Sequence, residues 1–233
     1  MFFLSRFLAG ARASGVPRGP SAFRGSDAYP EDVSKVPTTA ALIPVKAFKT
    51  AKSRLKGALD DAERETLSRQ LATGVVTACG SIAPHVVCED PSIASWARDL
   101  GAEVIEPPES GLNTVIRYGV SWLADAGFER VLVTHADLAD PSGLAALADL
   151  GGVVLVPDRV KDGTNVVVVP TTISFRFAYG PNSFARHLSE AERVGLAIHV
   201  VDDPGLALDL DDADDLEAYS SANPGWLRSV LNP

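Results

Sequence analysis

From Ala40 onward the chain alternates between short, unbroken apolar runs and longer segments in which apolar residues recur every three to four positions. The first kind predicts buried strands, the second amphipathic helices. Strands are predicted over 40–46, 85–88, 103–105, 130–135, 153–156, 165–169, 196–201 and 207–210. Between them, Asp60 with Glu63 three residues later forms a capping box, opening a helix whose apolar face is Leu67, Leu71, Val75 and Ala78. Asp90-Pro91 opens a second helix at N-cap and N1, closing at Gly101. Further helices are predicted over 112–126, ended by Gly127, and over 141–150. Another covers 182–194, with Phe184, Leu188 and Ala191 inward and Gly195 at its end, and Asp212 caps a final one. Apolar strands separated by helices imply an α/β fold: a mainly parallel sheet with helices on both faces. In such sheets ligands bind beyond the carboxyl ends of the strands, which directs attention to the residues following each strand.

Residues 1–37 do not share this pattern. The first 25 carry Arg6, Arg12, Arg18 and Arg24, no acid, and several Gly, Ser and Pro. That composition resembles an organelle transit peptide, and Phe2-Phe3-Leu4 with Ala11-Arg12-Ala13 faintly a secretory signal, although Arg6 breaks the apolar stretch the latter needs. The reading preferred here is a disordered extension or a start codon assigned too early, with residues 38–233 forming one domain. The 233-residue chain carries a formal charge of −9, which argues against non-specific nucleic-acid binding. No apolar run approaches the ~20 residues of a membrane span. Cys79 and Cys88 have neither metal-site nor disulfide-framework spacing and read as core residues in a reducing, cytoplasmic compartment.

Against this acidic background, residues 46–56 (KAFKTAKSRLK) reverse the local sign. Lys46, Lys49, Lys52, Arg54 and Lys56 follow the first strand without an acid among them, which suits a triphosphate. Asp137 follows the apolar strand 130–135 and is a natural ligand for a hard cation. In LDLDDADDL, Asp209 and Asp211 alternate with leucines, so a strand there would aim both carboxylates to one side. With Asp137 they would make a three-carboxylate magnesium site. A helix start, with Asp212 as cap and Asp214 and Asp215 in the first turn, can hold alongside it, and explains 212–215 better than 209 and 211. DGTN (162–165) and YGPNS (179–183) look like anion sites, the second because it opens a helix. His135 adjoins these groups but reads as a strand-end core residue.

Taken in order, VKAFKTAKSRL, GLNTVI, HADL, DGTN with YGPNSFARH, and LDLDDADDL resemble the 2-phospho-L-lactate or phosphoenolpyruvate guanylyltransferase family of deazaflavin coenzyme (F-420) biosynthesis. The resemblance covers roughly residues 40–219. It implies a Rossmann-like nucleotidyltransferase fold (GT-A-like) that binds GTP and Mg²⁺. It further implies Asp137, Asp209 and Asp211 as metal ligands and Thr164, Gly180 and Ser183 around a phosphorylated three-carbon acid. Lys46, Lys52 and Arg54 match the basic first loop, and Leu112-Asn113 a segment near the nucleotide. The partners implied are GTP and the acid; the downstream transferase of the pathway and a second copy of the chain are compatible additions. Two alternatives stay open. One is a sugar-nucleotide-dependent glycosyltransferase, which also uses a D-x-D pair; the other is a nucleotide-binding relative without turnover.

Overall fold

The computed structural model describes residues 39–232; the extension expected over 1–37 lies outside them. Seven strands form one sheet: β1 (Thr39–Pro44), β2 (Ala83–Val87), β3 (Glu103–Ile105), β4 (Arg130–Thr134), β5 (Val153–Pro157), β6 (Thr164–Pro170) and β7 (Ile198–Val200). Their spatial order is β3-β2-β1-β4-β6-β5-β7. Four of the six pairings are parallel, and β6 runs antiparallel to both its neighbours. This reversal has a direct consequence for the site. The carboxyl ends of β1, β2 and β4 lie along one edge of the sheet, and the amino end of β6 joins them there. The register Thr134↔Val166 and the bond from the His135 N–H to the Asn165 carbonyl (3.1 Å) fix that placement.

Helices α1 (Asp61–Ala78), α2 (Pro91–Asp99) and the short α4 (Leu144–Leu147) contribute to the core on one face, with Ile43, Leu132, Val154 and Val168 facing them. Helices α3 (Leu112–Asp125) and α5 (Ser183–Val194) cover the other, against Leu42, Val131, Val133 and Val167. Consecutive valines thus point to opposite cores, which is why the strands read as continuous apolar runs. Both predicted caps form: Asp60 and Glu63 exchange bonds of 2.8 Å with each other's backbone N–H, and Asp90 accepts from Ser92 N–H at 2.8 Å. Gly119 lets α3 approach β1, since a Cβ there would lie 2.7 Å from Leu42. Cys79 and Cys88 are free and buried. No described helix is long and apolar enough to cross a membrane.

Three expectations need correction. Helix 141–150 contracts to α4, with turns on either side of it, and Gly143 at its start packs against Asp203 and Leu206 with no room for a side chain. Residues 207–210 form no strand; Asp209 makes a single antiparallel bridge with Leu138. Helix α6 (Ala213–Ala222), capped by Asp212 as expected, is not the last, because α7 (Trp226–Leu231) follows. A third apolar cluster forms here: Leu210 and Leu216 pack with Leu55, Leu59, Leu67 and Leu71, and Trp226 and Leu227 of α7 pack against them.

Candidate functional site

The basic loop after β1 is pinned at both ends by apolar side chains. Phe48 is buried in an edge-on contact with Trp96, and Leu55 is buried in the third cluster. Between these anchors Lys52 adopts a left-handed backbone conformation, φ 54°, at a cost of roughly 1–3 kcal/mol for a non-glycine residue. The conformation turns its side chain inward, where only 4% of it is exposed. Its ammonium lies 2.5 Å from Asp137 Oδ2 and 3.1 Å from Asp211 Oδ1.

Residues far apart in sequence are zipped together here by backbone. Ala139 N–H donates to the Leu208 carbonyl (2.8 Å) and Leu210 N–H to the Asp137 carbonyl (3.3 Å), around the Leu138–Asp209 bridge. The three aspartates converge through this pairing, not through alternation along a strand. Ligand atoms of His135, Asp137 and Asp209 lie within 4.8 Å of one another. Asp211 is outside that triplet and is held by Lys52.

The charges are unevenly balanced. Burial works against the Lys52 ammonium, but Asp137 and Asp211 outweigh it and raise its pKa. Burial works against ionised Asp137 as well, and the charges of Lys52 and His135 outweigh it, holding Asp137 below the usual carboxylate range. Asp209 goes the other way: burial, then the charges of Asp137 and Asp211, push its carboxyl up. The Lys52 ammonium pairs with Asp137 and Asp211, while Asp209 meets the negative charge of both. An oxygen-rich donor set with unbalanced negative charge fits a hard divalent cation, so the residues present suit the Mg²⁺ that the motifs imply.

Two cavities meet at this cluster. The larger, about 750 Å³, is lined by Lys46, Lys52, Glu89, Ser110, Leu112 and Asp137 among others. The smaller, about 360 Å³, is bounded by Arg54, Thr164, Gly180, Ser183 and Asp211. His135 and Leu112 line both. The structure therefore divides the basic loop, giving Lys46 and Lys52 to the first cavity and Arg54 to the second.

Two expected roles change. Asn113 lines neither cavity: its side-chain amide accepts from the Tyr179 N–H (2.7 Å) and donates to the Tyr179 carbonyl (3.1 Å), tying α3 to the segment before α5. The start of α5 is also no open anion cradle. Asn182 and Phe184 N–H donate to the Asp162 carboxylate and carbonyl, and Ser183 N–H donates to the Gly180 carbonyl. What remains for a ligand is the side chains of Thr164 and Ser183, and the backbone at Gly180, which has φ 117°.

Sequence reasoning gave three residues no role of their own in the site. His135 is half-buried between the cavities, its Nε2 buried and without a hydrogen-bond partner among the described residues, and its ring lies 5.6 Å from that of Tyr179. The Tyr179 hydroxyl is likewise buried without a partner among the described residues, and burial raises its pKa. His187, fully buried, joins Thr164 to Ala178. The available signal was positional: His135 opens HADL and His187 ends YGPNSFARH.

A 3-2-1-4-6-5-7 sheet carrying a basic loop and an aspartate cluster at its ligand-binding edge defines an α/β enzyme of the nucleotidyltransferase class. Residues 39–219 match the family model described as guanylyl transferase CofC like, and the chain belongs to that family. It is 36% identical over 195 residues to the phosphoenolpyruvate guanylyltransferase of Conexibacter woesei, a match covering 78% of this chain and 86% of that protein. With the 2-phospho-L-lactate guanylyltransferase of Methanothermobacter thermautotrophicus it shares 34% identity over 190 residues, covering 76% and 82%. Among solved structures, one from Desulfovibrio desulfuricans G20, bearing the name of a nucleotide-diphospho-sugar transferase, superposes with a TM-score of 0.69 at 14% identity. It covers 84% of this chain and 94% of that one, a likeness of fold alone.

Proposed function

We propose that this enzyme condenses GTP with a phosphorylated three-carbon acid, releasing pyrophosphate, as a step of deazaflavin coenzyme (F-420) biosynthesis. The acid is phosphoenolpyruvate, 2-phospho-L-lactate or 3-phosphoglycerate; the first two are the substrates named for the relatives above. The observation that carries this reading is the meeting of two cavities at one carboxylate cluster, the larger bearing Lys46 and Lys52, the smaller Arg54 and two hydroxyls.

In this reading the larger cavity takes the nucleotide. Lys46 and Lys52 face the triphosphate, Leu112 packs against the nucleoside, and Glu89, which accepts from the Ser110 hydroxyl at 2.7 Å, offers an acceptor for the N–H groups of guanine. The smaller cavity takes the acid, with Arg54, Thr164, Gly180 and Ser183 around its phosphate and carboxylate. An oxygen of the acid's phosphate bonds to the α-phosphorus of GTP, the bond from that phosphorus to the bridging oxygen breaks, and pyrophosphate leaves with the electron pair. The attacking phosphate is already ionised near pH 7, so no side chain need remove a proton from it. The protein's share is alignment and charge neutralisation. Asp137, Asp209 and Asp211 would hold Mg²⁺, which when bound supplies further neutralisation of the phosphates.

Mass spectrometry of products after incubation with GTP, Mg²⁺ and each acid in turn tests the proposal. A guanosine diphospho-acid with stoichiometric pyrophosphate is expected from at least one. GTP binding without product from any of the three would instead identify a non-catalytic relative.

A further inference from the structure

Beneath the smaller cavity lies a hydrogen-bond chain whose polarity is set by one backbone group. The Ala178 N–H, which can only donate, points at His187 Nε2 over 2.9 Å. That nitrogen must therefore be bare, and in the neutral ring the proton resides on Nδ1. The Nδ1–H faces Thr164 Oγ1 at 3.0 Å, and Thr164 Oγ1 lies 3.4 Å from Ser183 Oγ. All three side chains are at most 1% exposed, so water does not dilute the arrangement. Burial, then the neighbouring charges of Arg186 and His135, lower the His187 pKa to about 4, which keeps the ring neutral near pH 7.

Counting protons fixes what the chain offers the cavity. His187, Thr164 and Ser183 bring one proton each, and the two contacts among them consume two. One hydroxyl proton is left over, and Thr164 and Ser183 both line the cavity. With the opposite tautomer Thr164 would donate to His187 and Ser183 to Thr164, leaving only lone pairs toward the cavity. Lone pairs repel an anion.

We propose that His187 is a positioning residue for the acceptor: held as the Nδ1–H tautomer by the Ala178 N–H, it obliges the Thr164–Ser183 pair to present a hydroxyl proton to the acid's anionic group. The inference rests on the smaller cavity being the acceptor site. It also explains how that site binds an anion although the first N–H groups of α5 are already engaged by Asp162 and Gly180.

Two measurements on the full chain test it, and their failures differ. Long-range proton–nitrogen correlation NMR on the ¹⁵N-histidine protein, with His187 assigned by the signal missing in His187→Gln, should show a protonated Nδ1 and a bare Nε2. A protonated Nε2 overturns the inference whatever the substrate proves to be. Steady-state kinetics then separate the two contacts of the ring. Asn at 187 places an amide N–H near the Nδ1 position and can still donate to Thr164; Gln places its carbonyl near Nε2 and keeps only the Ala178 contact. His187→Gln should raise the phosphoenolpyruvate or phospholactate KM roughly ten- to a hundredfold, the range for one lost bond to a charged group. His187→Asn should raise it severalfold less, and the GTP KM should move little in either. In a Ser183→Ala background His187→Gln should add almost nothing. Equal acceptor effects of the two substitutions, or full additivity with Ser183→Ala, overturn the inference. Absence of wild-type turnover overturns the guanylyl-transfer reading and with it the acceptor role, while the ring-nitrogen signals still decide the tautomer.

Discussion

The ammonium of Lys52 lies 2.5 Å from the carboxylate of Asp137, reached from a left-handed backbone position and almost sealed from solvent. The pair joins the proposed triphosphate loop to the proposed metal cluster, and Asp211 shares the same ammonium at 3.1 Å. Lys52→Met should lower turnover at least a hundredfold and also leave Asp137 without its counter-charge. The metal-free protein should lose about 1–3 kcal/mol, less than the ~3–5 typical of a fully buried pair because Asp137 keeps part of its surface in water. Millimolar Mn²⁺ should restore much of that loss. Calorimetry with and without the ion checks the point; an unchanged midpoint in both conditions would mean that the contact carries no electrostatic weight.

Asp137→Asn should remove detectable turnover while leaving the far-ultraviolet circular dichroism unchanged, since the backbone bond from Leu210 N–H to the residue 137 carbonyl does not depend on the side chain. Retained activity at millimolar Mg²⁺ would rule out the proposed cation site.

Asp209 predicts a trade of stability against function. Its carboxyl pKa is raised by burial, then by the charges of Asp137 and Asp211. A carboxyl with a raised folded-state pKa costs nothing below its unfolded pKa of about 4, and destabilises progressively as pH climbs through the folded value. Asp209→Asn should therefore raise the metal-free thermal midpoint at pH 7 by a few degrees, given roughly 2–4 °C per kcal/mol at this size. The gain should vanish near pH 3, and turnover should be lost. A midpoint gain that is independent of pH would contradict the electrostatic account.

Asn113→Ala deletes both amide bonds to the Tyr179 backbone. Each buried group left unpaired costs about 1–3 kcal/mol, so unfolding should occur at visibly lower denaturant. Because Tyr179 and Gly180 line the smaller cavity, the acceptor KM should rise more than the GTP KM. A selective effect on GTP would return Asn113 to the nucleotide side.

Arg54→Ala and Lys46→Ala, in the same loop, should separate in steady-state kinetics. Arg54 lines the smaller cavity and should affect the acid by roughly tenfold or more; Lys46 lines the larger and should affect GTP. Indistinguishable profiles would undo the division of the basic loop.

The apolar runs of β1, β4, β5 and β6, the capping box at Asp60 and the N-cap at Asp90 were all legible in the chain. Burial on both strand faces and local capping each act over a few residues, so the sequence displays them directly. The sign reversal at residues 46–56 and the aspartates at 137, 209 and 211 were visible as composition. Their arrangement was not. Whether β6 runs with or against β4 leaves no trace in a continuous valine run, yet that direction brings Asn165 against His135 and Thr164 to the site's edge of the sheet. Asp209 reaches Asp137 through a backbone bridge to the adjacent Leu138, far away in sequence, and Asn113 is turned from ligand candidate to clamp by Tyr179, 66 residues away. The chain determined which elements form and which charged groups are available, because those follow from local periodicity and composition. Only the tertiary structure decided which groups face each other, because hydrogen-bond partners, desolvation and tautomer depend on neighbours that sequence spacing does not encode.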